Sequence, residues 1–324
     1  MSAVFGAFRK NALAPSLDDV TFARRGFPAR PTPEARNLES IPQHVILGFE
    51  FGIEFGDRPD SLQRLDMVER EFRGFAYEGA TMAFTLLDVM PGRRTDRTKK
   101  FLDGHAAPHL FLAYIGIGFA MSHLPRVLWS KVLPELRDER YHPTVSWLAV
   151  DGYGFDKAYF HTKKWIDEQS APKPYPWQGM PDYFARAFDQ GVGRALWFMQ
   201  GADVAGVTEA VNAFAAHRHA DLWSGVGLAA AYAGSGDAEA LKTLRELSGR
   251  YHPEVAQGAV FAAKARAQAD LVVPHTEIST QVLCDMTVEE AEGLTDEASS
   301  NFGKSARDVP NYEIWRNRVQ AHFR

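Results

Sequence analysis

One cysteine in 324 residues, Cys284, excludes an intramolecular disulfide framework and fits a reducing compartment. Its neighbours Val282, Leu283 and Met286 predict a buried thiol rather than a nucleophile. No apolar run reaches the length of a membrane span, and the apolar start at residues 1–10 is too short and too early for a secretory signal. A cytoplasmic protein with no transmembrane segment is expected. Positive charge is not in excess either. The net charge is −5, and no Lys/Arg stripe is interleaved with aromatics, which argues against a nucleic-acid partner. The single basic cluster, residues 93–100, reads as a solvated loop, with docking of an acidic carrier domain as the lesser reading. Cys/His zinc spacings, paired Glu-x-x-His helices, Gly-x-Ser-x-Gly and a Walker loop are all missing, so no metal is expected and the cofactor is left open.

What the chain has instead is a recurring glycine. A polar entry, a glycine and a helix-favouring apolar run return at Gly79, Gly116, Gly152, Gly191, Gly225 and Gly258, spaced 33–39 residues apart. That period is the mark of stacked helical hairpins, each too small to bury its apolar face alone. With the first glycine as position zero, position two is Gly118, Gly154, Gly193 and Gly227 in four copies. Position four is Ala83, Ala120, Ala195, Ala229 and Ala262 in five. Positions zero and four share a helix face, so small residues there admit a neighbouring helix closely. A phosphate-cradling loop is the weaker reading, because no copy follows a strand or completes Gly-x-Gly-x-x-Gly.

Sustained strand alternation is absent, so the expected fold is all-α: helical-hairpin repeats of the α-solenoid or TPR-like kind, about six or seven copies of roughly 36 residues. The expected organisation is an extended arm over 1–42, a first repeat half over 43–167, a Pro-rich loop over 168–181, a second half over 182–298 and a capping tail over 299–324. Helical pattern starts near His44, with Gly48 and Gly52 as a degenerate first copy, and residues 125–140 read as a partner helix. Asp203 and Asp237 read as N-caps, and Tyr312–Val319 as an amphipathic closing helix.

Chemistry is expected beside the small-residue face. Positions minus one, three and seven share one helix face. Position minus one carries Glu78, Asp151, Gln190 and Gln257, position three carries Phe155 and Arg194, and position seven carries Tyr159, Phe198 and Tyr232. Stacked side by side, these stripes predict an aromatic groove with a polar rim, suited to a long, apolar, unsaturated ligand. Arg194 and Lys264 lie in otherwise apolar helices and need buried partners or a solvated cavity; Asp189, Glu78 and Asp151 are the candidates. The competing account is that the aromatics are core and the acids are helix caps.

The stretches Tyr77-Glu-Gly-Ala80, Asp151-Gly-Tyr-Gly-Phe155, Phe188-Asp-Gln-Gly191, Leu222-Trp-Ser-Gly-Val-Gly227 and Ala256-Gln-Gly-Ala259 carry a family resemblance. The chain resembles the domain-of-unknown-function proteins encoded with the iterative polyketide synthase in enediyne biosynthetic gene clusters, from Phe5 to the closing Tyr312-Glu-Ile-Trp315. The resemblance implies membership of that pathway: a protein that binds the linear polyene from the synthase and takes part in its maturation to the enediyne core. It carries no catalytic residue across. The alternative is a non-catalytic helical-repeat scaffold or carrier that docks other pathway proteins or an acyl carrier domain.

Overall fold

The computed structural model describes residues 16–56, 59–90, 96–136, 140–300, 302 and 309–324; residues 93–95 of the basic cluster fall outside them. Among the described residues the secondary structure is helical, with no β-strand, and no helix is long and apolar enough to cross a membrane. The chain divides into two compact units: one of residues up to Arg25 with Glu39–Tyr153, the other of Gly26–Leu38 with Gly154–Arg324. The chain passes between them after Arg25, Leu38 and Tyr153.

The first unit is built on α1 (Pro33–Phe55, from Glu39 on), α2 (Arg70–Val89), α3 (Leu110–Ser122) and the opening turns of α4 (Trp147–Phe160). Glycine sets how these helices meet. A methyl group on Gly79 would overlap the Val45 carbonyl, and one on Gly48 would overlap the Ala76 carbonyl, so α1 and α2 touch backbone to backbone. Gly116 meets the Glu78 carbonyl, Gly118 that of Ala149, and Gly152 that of Ile115 in the same way. Each glycine costs the helix up to about 1 kcal/mol in propensity, which the contact must offset.

Two sequence expectations change here. The arm is not extended to residue 42, because α1 begins at Pro33, where a missing N–H costs nothing, and runs on through Pro42. The described residues of 125–140 do not form a partner helix. A 3₁₀ segment, Arg126–Lys131, is followed by irregular chain to Leu136, and the Trp129 indole donates to the Met121 and Leu124 carbonyls at the end of α3. Pro125 and Pro134 flank this stretch and oppose a continuous helix.

The second unit continues with α5 (Phe184–Met199), α6 (Val204–Ala213), α7 (His219–Tyr232), α8 (Ala238–Ser248), α9 (His252–Gln268), α10 (Pro274–Cys284), α11 (Val288–Ala298) and α12 (Asn311–Ala321). Helices α5, α7 and α9 lie side by side through their glycines. Gly225 lies on the Gln190 carbonyl and Gly258 on that of Ser224, while Gly193 lies on Leu222 and Gly227 on Val255. For Gly116, Gly152, Gly225 and Gly258, position zero meets position minus one of the copy before, and for Gly118, Gly154, Gly193 and Gly227, position two meets position minus three of the copy after. Helices α6, α8 and α10 pack in turn beside them. Asp203 and Asp237 cap α6 and α8, accepting from the Ala205 and Ala240 amides at 3.2 and 2.8 Å. Helices α11 and α12 close on α9, with the Trp315 indole donating to the Thr295 carbonyl at 2.9 Å.

Candidate functional site

Within the second unit three aromatic members of the stripe, on α4 and α5, come together. Phe155 and Tyr159, one turn apart on α4, stack at 5.6 Å, and Phe198 of α5 meets Phe155 edge-on at 5.3 Å. The Arg194 guanidinium lies 4.9 Å from the Phe155 ring centre, a cation–π contact in a nearly dry setting. All four side chains are at most 8% exposed. The patch is therefore covered, and part of the cover is the chain's own Phe27, edge-on to Tyr159 at 4.8 Å.

The polar end of the stripe is occupied by α12. Gln190 of α5 and Gln257 of α9 do not rim an open groove; they bind the closing helix. The Arg316 Nε donates to Gln257 Oε1 at 3.0 Å, the Ser224 hydroxyl donates to the same oxygen at 2.9 Å, and Tyr312 donates to Gln190 Oε1. Arg316, fully buried, also reaches Asp221 at 2.8 Å and Glu313 at 2.6 Å through Nη1. Arg186 also pairs with Asp221 and Glu313, both at 2.8 Å. Two cations thus balance two carboxylates, which is the condition for burying them.

The electrostatics follow. Burial pushes the Asp221 carboxyl up, but Arg316 and Arg186 outweigh it and hold it below the usual carboxylate range. Burial, with Glu313 alongside, drives the Tyr183 phenol far up, so it stays protonated and donates to Glu313 at 2.7 Å. Glu254, half-buried with Oε2 lacking a hydrogen-bond partner among the described residues, is raised chiefly by burial and pulled back by Arg316 and Arg324. A charge-balanced set of this kind anchors a helix; it offers no free nucleophile.

The remaining expected residues are placed as follows. Asp189 gives both carboxylate oxygens to Arg218, at 2.8 and 2.6 Å. Lys264 pairs with Glu292 and Asp296 of α11 at 2.8 and 2.9 Å. Tyr232 carries the Arg266 guanidinium 3.9 Å from its ring centre. Glu78 and Asp151 are buried in the first unit, on α2 and α4. Cys284 is buried, donates weakly to the Ala256 carbonyl, and has its thiol pushed up by burial.

Sequence reasoning missed Asp221, Arg186, Glu313 and Arg316. Two signals were present. Extending the stripe one turn back, to position minus four, reaches Asp221 and Glu254, and the closing helix places Glu313 and Arg316 three apart beside Tyr312 and Trp315. No curated protein and no solved structure matches the chain. A family model described as "Protein of unknown function (DUF1702)" matches residues 4–323, nearly the whole sequence, and the chain belongs to that family.

Proposed function

We propose that this protein works in enediyne biosynthesis, holding a linear polyene from the polyketide synthase on the aromatic patch of its second unit during maturation to the enediyne core. The observation that carries this reading is the grouping of Phe155, Tyr159 and Phe198 with the Arg194 cation, three ring systems and one charge in a nearly dry setting. Such a surface suits a flat conjugated chain through ring contacts, and a guanidinium orients an electron-rich or carboxylate end. The pathway assignment rests on the sequence resemblance. The architecture we propose is a helical-repeat array of six or seven roughly 36-residue copies, supported by the repeated glycine-on-carbonyl register.

A second reading, a non-catalytic scaffold that docks pathway proteins, draws support from the burial of the stripe under Phe27 and of its polar end under α12. Co-expression with a polyene-forming synthase separates the two. The ligand reading predicts that the purified protein carries stoichiometric polyene absorbance, lost on Phe155→Ala. Colourless protein that instead co-purifies with another pathway protein would support the scaffold.

A further inference from the structure

Phe27 lies on irregular chain between the short helix Phe22–Arg25 and α1, and of residues 26–31 it alone is buried. Gly26, Pro28, Arg30 and Pro31 around it are exposed. The segment from Gly26 to Leu38 belongs to the second unit and crosses the far end of the stripe. Ala29 and Ala35 close over Gly201, just past α5, and the Asn37 amide donates to the Ser235 hydroxyl at 3.2 Å, just past α7. Phe27 itself meets Tyr159 at 4.8 Å with the rings 88° apart.

We propose that Phe27 sits in a ligand slot walled by Tyr159 and its aromatic neighbours, and that a conjugated hydrophobic ligand enters by turning the Phe27 strap outward at Gly26. The proposal rests on the hydrophobic-ligand reading above and names its gate. Three features support it. The slot's occupant is a ring seated edge-to-face, a contact that the flat π-system of a polyene reproduces. Gly26, Pro28, Arg30 and Pro31 of the strap are exposed, so displacing residues 26–31 withdraws Phe27 and the half-buried Ala29 rather than a helix face. Gly26 has φ +69°, in the left-handed region that glycine tolerates, and no described residue crowds its Cβ position, so it can serve as the pivot.

The test uses the full chain and parinaric acid, a conjugated tetraene fatty acid whose fluorescence rises in an apolar site, with stearic acid as the unconjugated competitor. Phe27→Ala removes the resident ring and is expected to bind the probe at least about tenfold more tightly than wild type. Phe27→Trp is expected to bind it more weakly, and adding Tyr159→Ala to Phe27→Ala to abolish the gain. Stearic acid should displace the probe poorly. Equal binding by folded wild type and Phe27→Ala would overturn the gate and leave the hydrophobic-ligand reading standing. Absence of binding by every variant would overturn both. If Phe27→Ala does not fold, tryptic cutting of wild type after Arg25 decides. Faster cutting with probe supports the gate; unchanged or slower cutting overturns it.

Discussion

Gly225 presses so closely on the main chain of Gln190 that a methyl group there would overlap the Gln190 carbonyl and crowd the Arg194 amide. Both residues it presses on are stripe residues, so the contact that packs α7 on α5 also sets where Gln190 and Arg194 stand. Gly225→Ala is therefore expected to cost about 1–3 kcal/mol, and Gly225→Leu more, because a close-packed helix pair cannot widen locally without strain. Gly293 is the control. It lies within α11 with no described residue near its Cβ position, so Gly293→Ala should gain up to about 1 kcal/mol from helix propensity. Urea denaturation of both variants checks this, and equal effects would remove the packing account.

Arg316→Met should destabilise the protein by about 3–5 kcal/mol, since Asp221 and Glu313 would keep a buried charge with less compensation. Arg245→Met breaks the more exposed pair with Asp285 and should cost no more than about 1 kcal/mol. Comparable losses in the two variants would contradict the anchoring role given to α12.

The same cluster fixes two opposite pH slopes. Asp221 is held below its unfolded value, so its contribution is fully present above the ordinary carboxylate range and is lost as pH falls through its depressed folded value. Glu254 is raised, so the native state binds its proton more tightly, and stability declines as pH rises from the ordinary value through the raised one. Thermal melts across that window should show the decline in wild type and its absence in Glu254→Gln. The same slope in both would assign it elsewhere.

The all-helical class was legible because glycine followed by alanine recurs with a helical period, and in the second unit the glycines stand where that spacing put them. The polar rim was legible as residues and not as an arrangement. Gln190 and Gln257 are short polar groups at helix openings, and nothing local says that Arg316, 59 residues beyond Gln257, will bind one of them. Asp189 illustrates the same limit. It adjoins Gln190 in sequence, yet its carboxylate turns to Arg218, because neighbouring helix positions point about 100° apart. The 125–140 stretch misled for another reason: its apolar spacing is helical, but Pro125 and Pro134 and the Trp129 indole bonds to the end of α3 decide the backbone.

We propose that Arg194 and the rings around it, besides joining α4 to α5, receive a ligand. Thermal melting and binding of a linear conjugated polyene acid, measured on one preparation of Arg194→Ala, test it most directly. The account predicts a cooperative melt close to wild type and an affinity per folded molecule lower by about tenfold, from loss of the desolvated cation. A large fall in melting temperature with unchanged affinity would contradict it.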